Sequence, residues 1–345
     1  MEAEYAGFVQ TVPGSLIYST LHFRDFLVDA VGGRARYLVA VSEGSVCGAM
    51  PMFWLHSAAH GTVVNSLPWY GSHGGCLVRS DGVGAAARRA LLSEAARLLS
   101  SPEVTLSTVI LSPDEQAHEA EYRLALEPRA TDWRIGQVTT LPALGPDLDH
   151  RLAGLLLQKT RNLARKALRQ GFTLEEGDDD GAWAFLHATH LENMRAVGGV
   201  AKPASHFDAL RRRIPPGLRS LLTVRLDGER VAALLLLRFN GTVEYLVPVI
   251  KAEHRSRQPL SFAIWHAMVD SIRRGDCKWN WGGTWRSQES LHHFKKGWGA
   301  ADRPYRYLVR ASDCGLAGLR KDRASMGASF GFYFLYPFDA LEAPG

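Results

Sequence analysis

Residues 278–284 read Lys278-Trp279-Asn280-Trp281-Gly282-Gly283-Thr284, and residues 294–300 read Phe294-Lys295-Lys296-Gly297-Trp298-Gly299-Ala300. The first stretch opens on a strand expected over 278–281. A helix is expected near 288–296, and a strand over 304–310 completes the pattern. Gly297 and Gly299 let the backbone turn tightly where a bulkier residue would resist. Lys295 sits beside Phe294 with Trp298 nearby, so a positive charge is set between aromatic side chains.

Working backward, strands are expected over 220–226, 230–239 and 242–250. Asp227-Gly228 and Asn240-Gly241 join them, and both dipeptides favour the positive backbone angles that hairpins require. In the third strand Val243, Tyr245, Val247 and Val249 fall on one face, with Glu244 and Leu246 on the other. Pro248 cannot donate to a ladder, so it marks an edge, a bulge or an ordinary strand end. A helix follows over 260–274. Arg255, Arg257, Gln258 and Ser261 surround its N-terminus, where unpaired amides favour phosphate.

Further upstream, one long helix is expected over 151–170, ending at Gly171. Leu152, Leu155, Leu156, Leu163 and Ala167 give it an apolar stripe. Arg161, Arg165 and Arg169 share another face, and the segment has six basic residues and no acidic one. That face is either a solvated cationic surface or a groove for phosphates. Helices over 183–197 and 205–213 lie between this segment and the strands.

The first half shows a similar order of elements: a helix over 21–31, strands over 36–42 and 46–54 joined at Glu43-Gly44-Ser45, then a loop. That loop, Asn65-Ser66-Leu67-Pro68-Trp69-Tyr70-Gly71-Ser72-His73-Gly74-Gly75, is too rich in turn formers for regular structure. Helices over 85–99 and 114–126 and strands over 104–111 and 133–141 follow. Pro142, Gly145 and Pro146 suggest a boundary. The fold class is α/β.

The chain has 345 residues, enough for two domains, and 46% hydrophobic residues with 10% aromatics mark a packed globular protein. Cys47, Cys76, Cys277 and Cys314 form no CxxC pair, so neither a zinc knuckle nor a disulfide framework is indicated. The 13 histidines show no metal-ligand cluster, and no metal is expected. The acidic start lacks a signal pattern, and the longest aliphatic run, 231–237, is too short to span a bilayer. A cytoplasmic protein is expected. A net charge of +5 is mild and suits an anionic ligand. Neither DNA nor a main role in RNA binding is indicated.

Together these blocks resemble the FemAB-like acyltransferases, built from two tandem acetyltransferase-like (GNAT) halves. The resemblance rests on Ser66-Leu67-Pro68-Trp69-Tyr70-Gly71 with Gly74-Gly75, and on Lys159-Thr160-Arg161-Asn162 with Arg165-Lys166-Ala167 and Gly171-Phe172. It also rests on Glu192-Asn193-Met194-Arg195 before Gly198-Gly199, and on the two stretches that open this section. It spans roughly residues 15 to 310. Relatives often carry an acidic residue where Asn280 stands.

The resemblance implies mixed central sheets flanked by helices, with domains at 1–145 and 146–312 and an aromatic tail, 313–345, packing on the second. It implies amide formation on an amine acceptor, with Lys295 as the catalytic residue that stabilises the oxyanion. Tyr245, Glu244, His292 and its neighbour His293 are candidate bases. In a GNAT half, Arg255, Arg257, Gln258 and Ser261 stand where the pyrophosphate of coenzyme A is held, yet that loop has no glycine. The anionic donor therefore stays open between acyl-CoA and aminoacyl-tRNA. Arg161, Arg165, Trp69, Tyr70 and Gly71 are candidate substrate contacts. The acceptor would be a cell-envelope precursor, an exopolysaccharide unit or a small metabolite. Peripheral membrane contact through Phe330-Gly331-Phe332-Tyr333-Phe334-Leu335-Tyr336-Pro337-Phe338 remains open. The competing reading is a non-catalytic GNAT-like protein holding an anionic or lipid-linked sugar.

Overall fold

In the computed structural model, which describes residues 1–67 and 69–333, the chain forms two units. One comprises Met1–Ile135 with the chain from Pro304 onward; the other is Gly136–Arg303.

The first unit holds β1 (Arg34–Ser42), β2 (Ser45–Ser57), β3 (Gly61–Asn65), β4 (Leu77–Val78) and β5 (Val104–Leu111), then the first part of β6 (Ala130–Thr140). Glu43 and Gly44, both at positive φ, turn β1 into β2. β3 and β5 run parallel, bridged by the helix Gly82–Leu99, whose N-terminus Asp81 caps. The core is Met50, Met52, Val64, Leu91, Leu92 and Tyr122. The helix expected over 114–126 is a 3₁₀ turn, Pro113–His118, followed by an α-helix, Glu119–Leu126.

The second unit holds the end of β6, then β7 (Thr173–Glu176), β8 (Arg219–Leu226), β9 (Glu229–Phe239), β10 (Thr242–Ile250), β11 (Lys278–Thr284) and β12 (Ala301–Asp302). Its strand order is β6-β11-β10-β9-β8-β7, with β12 beside β6. The two expected hairpin turns are present: Asp227 (φ 52°) with Gly228 (84°), and Asn240 (47°) with Gly241 (70°). Paired left-handed residues match the twist of the strands they join. Leu234, Leu236 and Val243 bury one sheet face against Ala263, Ile264, Ala267 and Met268 of the helix Pro259–Arg273, and Trp279, Trp281 and Trp298 close the same core.

Three expectations change. The division falls at 135/136, within β6, rather than at 145/146. The first residues of β6 pair with β13 (Tyr305–Ala311) and its later ones with β12. The tail belongs with the first unit. β13 pairs with β5, the helix Asp313–Ser329 packs on both, and Tyr333 donates its hydroxyl to the Val64 carbonyl at 3.1 Å. Residues 334–345, with Phe334, Leu335, Tyr336, Pro337 and Phe338, lie outside the described residues.

The expected helix over 151–170 is two helices, Leu148–Leu155 and Gln158–Ala167, with Leu156 and Leu157 extended between them. A tertiary contact explains the break. The Leu157 amide donates to the Gly297 carbonyl at 3.0 Å. A Cβ on Gly299 would lie 2.8 Å from the Leu155 carbonyl oxygen, and one on Gly297 2.2 Å from Thr160 Oγ1. The glycines beside Lys295 thus let its turn nest into the broken helix. No helix among the described residues is long and apolar enough to cross a membrane.

Gly299 also has φ +77°. Gly299→Ala is expected to lower unfolding free energy by about 1–3 kcal/mol, since strain and overlap with backbone add. Urea denaturation of both proteins checks this.

Candidate active site

β10 and β11 pair in parallel over only three positions, Thr242↔Lys278, Val243↔Trp279 and Glu244↔Asn280. Beyond Glu244 the two strands have no further partners in each other. β10 also bulges against β9 between Tyr245 and Val247, which leaves Leu246 outside the ladder. A bulge beside a parting strand leaves backbone donors and acceptors unclaimed by the sheet. Pro248 stands past the last β11 pair, where a missing N–H removes nothing from that ladder. At the far end Asn193 closes β10. Its amide nitrogen donates to the Ile250 carbonyl at 2.8 Å, and its oxygen accepts from the Ile250 amide at 3.0 Å.

Aromatic rings stand at the parting. Tyr245 and Trp281 lie 4.9 Å apart by centroids, and Trp281 also meets Phe294 edge-on and Trp298. The Trp281 indole donates to Thr139 Oγ1 at 2.9 Å, and that hydroxyl donates to the Trp298 carbonyl at 3.0 Å.

Lys295, on the helix Glu289–Gly297, is 3% exposed. Its Nζ donates to Thr284 Oγ1 at 2.7 Å and, at 3.4 Å each, to the carbonyls of Gly282 and Gly283. All three acceptors are neutral oxygens at the free end of β11. Burial without a carboxylate partner disfavours the ammonium, and the pKa falls from 10.5 to about 8. The charge is thus held by neutral oxygens alone.

Glu244 and Asn280 are buried next to this cage. Asn280 Nδ2 donates to Glu244 Oε1 at 3.0 Å, and Asn280 Oδ1 accepts from the Gly282 amide at 3.0 Å. Glu244 is therefore engaged in holding Asn280. Tyr245 is partly buried, and desolvation raises its pKa above the ordinary 10. A base role at neutral pH does not fit that group. His292 points its ring at Asp302, with Nε2 3.0 Å from Oδ1, and Lys296 pairs with the same carboxylate. Its imidazole is occupied at the surface, and His293 Nδ1 lies 2.8 Å from the Glu289 carbonyl oxygen.

The loop before the helix Pro259–Arg273 is a 3₁₀ turn, Ala252–Arg257. Gln258 takes φ +67°, and its side chain bonds the Arg255 carbonyl (2.9 Å) and the Ser261 hydroxyl (3.2 Å). Arg255 and Arg257 are exposed. Lys166 Nζ donates to the Ser256 carbonyl at 3.2 Å, which ties the cationic helix Gln158–Ala167 to this turn. Arg165 is exposed on that helix.

The substrate candidates lie in different settings. Arg161 donates Nε to the Ala153 carbonyl and Nη2 to the Leu156 carbonyl, both at 2.9 Å, so it seals the end of the preceding helix. Trp69 is buried in the first unit, with its indole on the Gly331 carbonyl at 3.0 Å and its ring against Phe53 and Tyr333. Tyr70 packs on Phe26 and Phe332, and burial pushes its pKa up to about 12. Gly71 is exposed in the same loop, and Pro68 lies outside the described residues. Sequence reasoning missed Gln137 and Thr284, both fully buried, which bond each other at 3.2 Å. Gln137 and Thr139, two residues apart and therefore on one strand face, were the available signal. Among the described residues no group of three metal-ligating side chains occurs.

Residues 156–296 match the family described as an acetyltransferase (GNAT) domain. No curated protein matches the chain. Among solved structures the chain is similar to FemX, at 17% identity and TM-score 0.73, covering 89% of this chain and 96% of that one. It is also similar to a tandem GNAT protein from the clavulanic acid biosynthesis pathway (13%, TM-score 0.53, 90% and 94% covered). A third likeness is to L-PGS from Bacillus licheniformis (12%, TM-score 0.51, 95% of each). At these identities the likenesses establish the fold.

Desolvation of Lys295 makes a thermodynamic prediction. Between about pH 8 and 10.5 the unfolded lysine binds a proton that the folded one does not, so stability rises with pH across that window. Wild type should gain about 3 kcal/mol relative to Lys295→Met on going from pH 8 to 10.5. Paired urea titrations at both pH values measure it.

Proposed function

We propose, from the premise that this chain is an acyltransferase with a GNAT domain and a FemAB-like fold, that its second unit forms an amide bond on an amine acceptor. The observation that carries the reading is Lys295, buried among neutral oxygens beside the parted ends of β10 and β11. An acyl group lying in that parting meets the unclaimed backbone of β10 on one side and the lysine ammonium near β11 on the other. The neutral amine attacks the donor carbonyl, a C–N bond forms, and the carbonyl oxygen becomes an oxyanion facing the ammonium. Collapse breaks the ester or thioester bond. The nitrogen loses one proton and the leaving oxygen or sulfur gains one. No side chain of the second unit is assigned as base, since Glu244 and His292 are engaged by Asn280 and Asp302 and the raised pKa of Tyr245 keeps it protonated.

The donor carries phosphate. Arg255 and Arg257 are exposed just before the N-terminus of the helix Pro259–Arg273, whose positive dipole end favours an anion, and Arg165 is exposed on the helix that Lys166 ties to that turn. Gln258 supplies by its own left-handed backbone the turn that a glycine would otherwise make. Both acyl-CoA and aminoacyl-tRNA present such a group. The acceptor is a cell-envelope precursor, an exopolysaccharide unit or a small metabolite.

Incubation with acyl-CoAs and with aminoacyl-tRNAs, each with a panel of amines, should yield a new amide by mass spectrometry. The productive donor identifies the phosphate source. Lys295→Ala should reduce turnover by about 10²–10³-fold. In wild type the rate should fall tenfold per pH unit above about 8, as the ammonium is lost. Undiminished turnover in Lys295→Ala overturns the assignment. No product with any donor, alongside tight binding of an anionic sugar ligand, favours the binding reading.

A further inference from the structure

We infer that Gln137 and Thr284 are positioning residues for Lys295, which set the direction of its ammonium by fixing where the Thr284 hydroxyl proton goes. The inference rests on the reading of Lys295 given above, and extends it to residues on two other strands.

A hydroxyl has one proton and two acceptor sites. If Thr284 gave its proton toward Lys295, it would repel the ammonium. Thr284 Oγ1 instead donates to Gln137 Oε1 at 3.2 Å. Gln137 is locked in the matching orientation, because its Nε2 donates to the His292 backbone carbonyl at 3.2 Å. That carbonyl belongs to the helix carrying Lys295, one turn earlier. Swapping the amide atoms would set Nε2 against the hydroxyl and Oε1 against a carbonyl, which leaves two buried acceptors facing each other. The chain of bonds is therefore directional: His292 carbonyl, Gln137 amide, Thr284 hydroxyl, Lys295 ammonium. Gln137 and Thr284 are each 0% exposed, so no water competes for these groups.

A second arm fixes the Gly282 carbonyl. Asn280 Oδ1 accepts from the Gly282 amide, and Glu244 accepts from Asn280 Nδ2. Gly282 has φ +70°, a conformation that suits glycine and turns its peptide out of the strand. Glu244 meets the cage through Asn280 and Gly282, while His292 and Lys296 pair with Asp302. The strongest bond to Nζ, the 2.7 Å one, is thus the one whose direction Gln137 controls.

The test compares Gln137→Glu, Thr284→Val and Thr284→Ser with wild type, reading the Lys295 side-chain nitrogen by NMR titration, with Lys295→Met for assignment. A carboxylate at 137 lies one hydroxyl from the ammonium, so the Lys295 pKa should rise by about one unit. Thr284→Val should lower it further and reduce kcat about tenfold with little change in KM, while Thr284→Ser keeps both near wild type. An unchanged Lys295 titration in Gln137→Glu, or equal losses in Thr284→Val and Thr284→Ser, overturns the inference. Should Gln137→Glu fail to fold, the Val and Ser pair at 284 decides alone. If the titration shifts as stated but the alkaline limb of turnover does not follow, the positioning role stands and the oxyanion reading of Lys295 falls.

Discussion

A lysine ammonium with almost no contact with water must be surrounded by oxygen, and everything near Lys295 is arranged to supply it. Three acceptors come from consecutive residues of one strand, Gly282, Gly283 and Thr284. β11 has no pair in β10 beyond Asn280, so these residues lie past the last rung between the two strands. The parting of β10 from β11 and the cage around Lys295 are thus two sides of one constraint. So is the break between the helices Leu148–Leu155 and Gln158–Ala167, since the Lys295 helix ends in glycines that need the gap.

The cage is built from neutral oxygens, with Glu244 kept two hydrogen bonds away. A carboxylate in direct contact would hold the ammonium more firmly and raise its pKa. It would also neutralise the charge that the cage leaves uncompensated. The position of Asn280, where an acid could stand, fits this division: its amide both donates to Glu244 and accepts from Gly282. An aspartate could not do both while ionised.

Much of this was legible in the sequence, for local reasons. Asp227-Gly228 and Asn240-Gly241 carry their turn chemistry within two residues, so the β8–β10 meander could be read directly. Lys295 with its flanking aromatics and glycines was legible as a unit. The helix break at Leu156-Leu157 was not, because three leucines contain no breaker and the cause is a hydrogen bond from the Leu157 amide to the Gly297 carbonyl, 140 residues away. Arg161 looked free on a helical projection, yet the break beside it created carbonyls for it to cap. Trp69 looked like a binding residue in a glycine-rich loop, but its partner Tyr333 lies 264 residues on in sequence. The placement of β13 beside β5 and β6 is likewise non-local pairing. Gln137 was overlooked because a polar residue in a strand is ordinarily assigned to the solvated face, whereas here both Gln137 and Thr139 face inward.

The amide of Asn193 stands against Ile250 as a peptide group of a neighbouring strand would, giving and taking one hydrogen bond each. A strand that parts from its partner inside a sheet exposes a template on which a foreign strand can add. One side chain on a helix occupies the last rung of that template. The rung lies six residues past Glu244, the last position at which β10 pairs with β11.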